Sequence, residues 1–244
     1  MPKYNSEFEK KFNKPPIIIG GCARSGTTLL LSILSAHPNI FGIPFETRAF
    51  CSNAYDINPK LSHSTNLEKI YHYFLTQDIP NNSRWCEKTP KNILFVKEIL
   101  RYFQNNVRIF NIVRDGRDVI LSRHPENPKL LWVPQERWIN DVRAGLEFEN
   151  IPQVMTLRYE DLVIDFDRTI KKIFEFINED CGPDMSNWYK YTKIKEHEAW
   201  FEGVQPVSTK SIGKWKKFRH RKIIREFMKK PEAVALLKHY NYVS

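Results

Sequence analysis

Gly21 and Gly26 stand five residues apart around Cys22-Ala23-Arg24-Ser25, and the chain runs on as Thr27-Thr28-Leu29-Leu30-Leu31. Glycine lets a backbone come close to an anion, the first N–H groups of a helix have no partner within it, and the helix dipole adds partial positive charge there. Backbone N–H groups, the hydroxyls of Ser25, Thr27 and Thr28, and the Arg24 guanidinium make this stretch a binder of phosphate or sulfate. The loop is close to G-x-x-x-x-G-K-S/T, but Thr27 occupies the place of the Lys that reaches β- and γ-phosphates. That replacement argues against nucleoside triphosphate hydrolysis and suits a donor with fewer phosphates and no metal bridging them. Read blandly, the same loop is a tight turn before a well-capped helix.

Four other stretches carry charged or hydroxyl side chains in compact groups. They are Glu46-Thr47-Arg48, Glu87-Lys88-Thr89-Pro90, Arg114-Asp115-Gly116-Arg117-Asp118 with Ser122 eight residues after Arg114, and Gln205–Phe218 with Lys210, Gly213 and Lys214. Tyr159 opens a further group, Tyr-Glu-Asp-Leu. Taken singly, each has an ordinary reading: a surface Glu–Arg pair contributes little, an exposed Lys is simply hydrated, and Tyr159 packs under a sheet.

The elements that must position these groups alternate. Ile17-Ile18-Ile19 is an unbroken β-branched run before the Gly loop, and Leu30, Ile33 and Leu34 follow at helical spacing. His37-Pro38 closes that helix, Asn39–Ile43 reads as a short strand, and Glu46 follows at the carboxyl end where α/β sheets bind ligands. Residues 51–83 read as irregular with one helix over Leu67–Leu75. Arg84–Lys88 is a strand turning into a helix at Pro90, with Ile93, Val96, Leu100 and Phe103 on the buried face. Val107–Val113 is a buried strand leading into a second helix, on which Ser122 lies about two turns beyond Arg114. Gln135–Glu149 reads as a helix burying Trp138, Val142 and Leu146, and Val154–Tyr159 as another strand. Phe166, Ile170, Ile173, Phe174 and Ile177 make a core stripe. Residues 183–203 read as a helix holding Trp188, Tyr189, Trp200 and Phe201, 219–230 as a basic helix, and Glu232–Tyr240 as the last.

At 244 residues, 41% hydrophobic and 13% aromatic, the chain supports one sizeable core, and the expectation is a single domain over 1–244 with 1–14 a loose polar arm. No apolar run approaches the ~20 residues of a membrane span, and Met1–Lys14 has no apolar core of a signal peptide, so a cytoplasmic location is expected. Cys22, Cys51, Cys86 and Cys181 are scattered, which indicates neither a zinc site nor a disulfide framework. The net charge of +10 is uneven: ten Lys/Arg against Glu226 alone lie between Lys210 and Lys230, and the rest of the chain is about neutral. Such a segment fits a polyanionic cofactor, an acidic acceptor or nucleic acid.

Gly-x-x-Arg-Ser-Gly-Thr-Thr-Leu-Leu after an apolar strand resembles the 5′-phosphosulfate loop of sulfotransferases that use 3′-phosphoadenosine 5′-phosphosulfate (PAPS). Glu46-Thr47-Arg48 is similar to a segment of protein-tyrosine sulfotransferases, and Glu87-Lys88-Thr89-Pro90 to a motif of bacterial and carbohydrate sulfotransferases. Val113-Arg114-Asp115-Gly116-Arg117 plus Ser122 resembles the 3′-phosphate motif of the same family, and Gln205–Phe218 its C-terminal segment ending in Gly-x-Trp. The resemblance, over about residues 16–218, implies a P-loop NTPase-like α/β sandwich, a central parallel sheet with helices on both faces. It implies in-line sulfuryl transfer from PAPS to a hydroxyl or amine, without a metal, leaving 3′-phosphoadenosine 5′-phosphate (PAP).

The implied roles are chemically sensible. Glu46 takes the acceptor proton, with Arg48 helping to position it. Lys88 faces the bridging oxygen, where an ammonium aimed at developing charge contributes on the order of 3 kcal/mol. Arg114 and Ser122 hold the 3′-phosphate through a guanidinium fork and a hydroxyl, Tyr159 touches the adenosine, and Lys210 or Lys214 clamps the phosphate. Some relatives have Lys where Gln205 stands, so which lysine does so stays open. The acceptor is a hydroxyl-bearing small molecule, sugar or tyrosine peptide, with nucleic acid not expected as a partner. Two rivals are a small-molecule kinase, which needs Mg²⁺ and the missing loop Lys, and a nucleic-acid binder using the basic segment, whose affinity would fall steeply with salt.

Overall fold

The computed structural model describes residues 11–51, 64–79, 84–124, 126–182, 185–195 and 203–243. Five strands, β1 (Ile17–Gly21), β2 (Ile40–Gly42), β3 (Arg84–Lys88), β4 (Arg108–Val113) and β5 (Val154–Arg158), form one sheet in the order β2-β3-β1-β4-β5. Every pairing is parallel, with Ile19 opposite Lys88 on one side and Phe110 on the other. The chain leaves β1 towards β2 and leaves β4 towards β5, so the crevice at the carboxyl ends of β1 and β4 is where the winding reverses. A ligand site in such sheets forms at that point.

Alternation along β1 sends its side chains to two layers. Ile17 and Ile19 pack with α1 (Thr27–Leu34), Leu162 of α6 (Tyr159–Ile164) and Ile170, Ile173, Phe174 and Ile177 of α7 (Phe166–Ile177). Ile18 packs on the opposite face with Ile70 and Phe74 of α2 (Ser64–Leu75), Ile93 of a 3₁₀ helix (Pro90–Phe95), and Val96 and Ile99 of α3 (Val96–Tyr102). Helices therefore cover both faces of the sheet, as expected. A third cluster caps the carboxyl end of β4: Val113, Val119 of α4 (Gly116–Val119), Trp138 and Val142 of α5 (Gln135–Leu146), Phe227 of α9 (Arg221–Met228) and Leu237 of α10 (Pro231–His239).

Several expectations are corrected. Pro90 opens a 3₁₀ helix, so the buried face shifts phase: Ile93, Val96 and Ile99 are fully buried, while Leu100 and Phe103 are only partly so. Helix α4 ends at Val119, and Ser122 lies on the turn beyond it, its N–H donating to the Val119 carbonyl at 3.0 Å. Of the helix expected over 183–203, the described residues hold a 3₁₀ turn, Met185–Asn187, and α8, Trp188–Tyr191; residues 183–184 and 196–202, with Trp200 and Phe201, lie outside the described residues. The basic stretch opens as a 3₁₀ turn, Phe218–His220, before α9. Residues 12–14, expected in a loose arm, are anchored: the Phe12 ring lies 4.8 Å from that of Phe74, and Lys14 Nζ lies 2.8 Å from Glu179. Among the described residues no helix is long and apolar enough to cross a membrane.

Candidate active site

The Gly loop follows β1 at the crevice. Gly21 (φ 137°) lies so close to β4 that a Cβ would meet the Ile112 carbonyl oxygen at 2.3 Å, and Gly26 (φ 102°) leaves room for the Tyr159 ring, 2.5 Å from where its Cβ would be. Both conformations belong to the region that favours glycine. Gly26 is the cap of α1, whose first two residues, Thr27 and Thr28, are buried. Ser25 is fully buried, and its Oγ has no hydrogen-bond partner among the described residues.

Arg114, just past β4, meets this loop. Its Nη1 donates to the Arg24 carbonyl at 3.1 Å and its Nη2 to the Ser211 carbonyl at 2.7 Å, and its guanidinium lies over the Tyr159 ring, 4.4 Å from the centroid. Its buried Nε has no partner among the described residues. Burial first, then the charge of Arg114, lowers the pKa of Arg24. Burial first, then Arg114, Lys217 and Arg24, lowers that of Lys214. Three cations thus act on one another around the loop, an arrangement that an anion relieves. Two buried donor atoms of this loop and its neighbour, Ser25 Oγ and Arg114 Nε, have no acceptor among the described residues.

Of the remaining expected binders, Tyr159 and Gly213 join this cluster. The Tyr159 hydroxyl lies 2.6 Å from Ser211 Oγ, and Gly213 N–H donates to Asp118 at 2.7 Å. Lys210 and Lys214 are both exposed; the charge of Arg114 acts on Lys214, while the Lys210 backbone N–H donates to Ser208 Oγ at 3.3 Å. The Ser122 hydroxyl donates to the Asp118 carbonyl at 3.4 Å, and its own carbonyl accepts from Trp132 N–H at 2.9 Å.

On the other side of β1, β3 presents Lys88 towards the loop after β2. Lys88 Nζ lies 2.7 Å from Glu46 Oε1, with the lysine side chain 1% and the glutamate 32% exposed. Arg48 adopts φ 54°, and its N–H donates to Thr89 Oγ1 at 3.1 Å. A carboxylate and an ammonium, with the Arg48 backbone tied to Thr89 beside them, therefore share the carboxyl edge with the cationic loop.

A family model described as "Sulfotransferase family" matches residues 15–183, well over half of the chain. The chain belongs to the sulfotransferase family. Mouse sulfotransferase 2A6 is 26% identical over 57% of this chain and 66% of its own length, and the protein-tyrosine sulfotransferase of Drosophila melanogaster is 22% identical over 87% of this chain and 48% of its own. The chain spans 35% of an uncharacterized Aquifex aeolicus relative. In fold, the chain resembles the sulfotransferase domain of the curacin biosynthetic pathway (TM-score 0.65, 16% identity, 94% of this chain and 98% of that one). It also resembles a mouse sulfotransferase complexed with PAP (TM-score 0.57, 17% identity, 100% and 96%).

Sequence reasoning missed the residues that hold the candidate site from beneath. Glu87, 0% exposed, accepts from the Thr47 hydroxyl at 2.9 Å, from Asn92 Nδ2 at 2.6 Å and from the Thr89 hydroxyl, and so ties Thr47, the residue between Glu46 and Arg48, to the end of β3. Burial raises its pKa, against those hydrogen bonds. Asp118 accepts from Gly213 N–H and, at 3.0 Å, from Trp215 N–H, fixing the Gly-x-Trp segment beside Arg114. Arg117 is held by Asp115 at 2.8 Å and lies over the Trp215 ring at 3.7 Å. Each belongs to a motif already quoted, but nothing in residue type distinguishes a carboxylate that supports from one that reacts.

Proposed function

We propose that the chain transfers a sulfuryl group from PAPS to a hydroxyl-bearing acceptor. The observation that carries this reading is the convergence of Arg24, Arg114 and Lys214 on a Gly loop with two unmatched buried donors, next to the Glu46–Lys88 pair. PAPS, when bound, supplies the sulfuryl group on a phosphosulfate bridging oxygen. The loop N–H groups with Ser25, Thr27 and Thr28 would hold its 5′ end, and Arg114, Lys214 and Ser122 its 3′-phosphate. That a related fold was solved with PAP supports the choice of nucleotide.

In this reading Glu46 accepts the proton of the acceptor hydroxyl, and Arg48 fixes the loop that carries it. Lys88 neutralises charge growing on the leaving oxygen. The two side chains touch instead of flanking a gap, so acceptor and donor must enter around the pair. An ammonium has three N–H donors, which allows Lys88 to serve Glu46 and a leaving oxygen together. Thr27 in place of the loop Lys weighs against the kinase reading.

Thermal unfolding with added nucleotide tests the proposal. PAP at 100 times its Kd should stabilise the protein by about 2.7 kcal/mol, and ATP with Mg²⁺ should not. Stabilisation by ATP–Mg²⁺ alone would overturn it. Labelled PAPS offered with peptides, glycans and phenols then identifies the acceptor.

A further inference from the structure

The charge imbalance of the sequence is gathered on one surface. Lys216, Lys217, Arg219, Arg221, Lys222 and Arg225 are all exposed. Glu226, the one acid in that stretch, is held by Lys229 at 2.9 Å, and Lys230 turns to Glu136 at 2.9 Å. The cations from 216 to 225 therefore face solvent with little to offset them. The rest of the chain is close to neutral, which gives the molecule a strong charge asymmetry.

Folding makes this surface continuous with the nucleotide pocket. Phe227 packs edge-on against Trp138 (centroids 5.4 Å apart), whose Nε1 donates to the Arg114 carbonyl at 3.1 Å, so α9 sits over the end of β4. The segment before it is fixed by Asp118 through Gly213 and Trp215. Lys217 acts electrostatically on Lys214, which is also under the influence of Arg114 and Arg24. At His220 the charges of Arg219, Arg123 and Lys217 meet, offset in part by Asp118. A chain of positive groups leads from open solvent to the buried loop.

We propose that this exposed segment, with Arg123, is an electrostatic guidance surface that captures the multiply charged nucleotide and directs it to Arg24, Arg114 and Lys214, without holding it once bound. This rests on the sulfotransferase reading above. A donor phosphorylated at both ends carries several negative charges, and one-signed surfaces leading into a cleft raise association rates by about 10- to 1,000-fold. The effect acts over a Debye length, about 10 Å at 0.1 M salt. It belongs to the on-rate, because the cations guide the approach and the buried loop makes the contacts.

The test is the association and dissociation rates of PAP, measured on a biosensor across a salt series. At low salt, Lys217→Glu/Arg219→Glu/Lys222→Glu should lower the association rate about tenfold or more and change the dissociation rate less than about twofold. The wild-type association rate should fall with salt, and the two proteins should converge near 0.5 M. The milder Lys217→Gln/Arg219→Gln/Lys222→Gln protein should lie between them, and the wild-type salt series needs no substitution. An association rate indifferent to salt and substitution, or a loss confined to dissociation, would overturn the inference. Failure of wild-type protein to bind PAP at any salt would instead remove the sulfotransferase reading beneath it.

Discussion

The ammonium of Lys88 lies 2.7 Å from Oε1 of Glu46, joining the end of β3 to the loop after β2. Glu46→Gln keeps a carbonyl oxygen for that ammonium but no longer takes a proton. Sulfuryl transfer in a single turnover with labelled PAPS should slow by about 100-fold or more. The Kd of PAP should stay within about twofold. A wild-type rate would put the base elsewhere.

Arg114 makes two charged hydrogen bonds within the chain and, in the proposed complex, more to phosphate. Arg114→Ala should weaken PAP by roughly 2 kcal/mol, or about 30-fold in Kd, as read by calorimetry. Arg114→Lys keeps the charge but loses the fork, and should fall between the two. An unchanged Kd would refute the assignment.

Gly26 combines φ 102° with a Tyr159 ring 2.5 Å from its missing Cβ. Gly26→Ala should cost at least about 1–2 kcal/mol from the backbone alone, and should also push Tyr159 from Arg114. Chemical denaturation and PAP affinity should both register the change.

Glu87 receives its hydrogen bonds in full burial. Glu87→Ala strands the Thr47, Thr89 and Asn92 donors, and should destabilise the fold by about 3 kcal/mol or more. Amide exchange at Thr47 and Arg48 should accelerate beyond the global change.

Burial raises the pKa of Glu160, against hydrogen bonds from Tyr242 (2.6 Å) and Asp115 N–H (3.1 Å). A carboxyl whose folded pKa is raised contributes stability that is full below its unfolded pKa, about 4.3, and is lost as pH rises through the folded value. Glu160→Gln should therefore compare more favourably with wild type at pH 7 than at pH 4. Unfolding midpoints at the two pH values check the sign.

The strands were legible because burial on both faces demands apolar runs, as in Ile17-Ile18-Ile19 and Val107–Val113. The stripe Phe166–Ile177 was legible because helical spacing repeats. Helices of one or two turns were not: α4 stops at Val119 with no sequence signal near Ser122, and the 3₁₀ start at Pro90 exchanges Leu100 for Ile99 on the buried face.

By itself the sequence determined an anion loop after a buried strand, an Arg at the end of another, and an uneven charge, since these depend on residue type and near neighbours. Only the tertiary structure decided that Arg24 and Arg114 share one crevice, that Lys88 meets Glu46, and that Lys214 comes within the field of Arg114. The physical reason is strand order. Placing β1 between β3 and β4 is a choice among long-range pairings that no local pattern encodes, and it alone brings residues 24, 88 and 114 to neighbouring ends of one sheet.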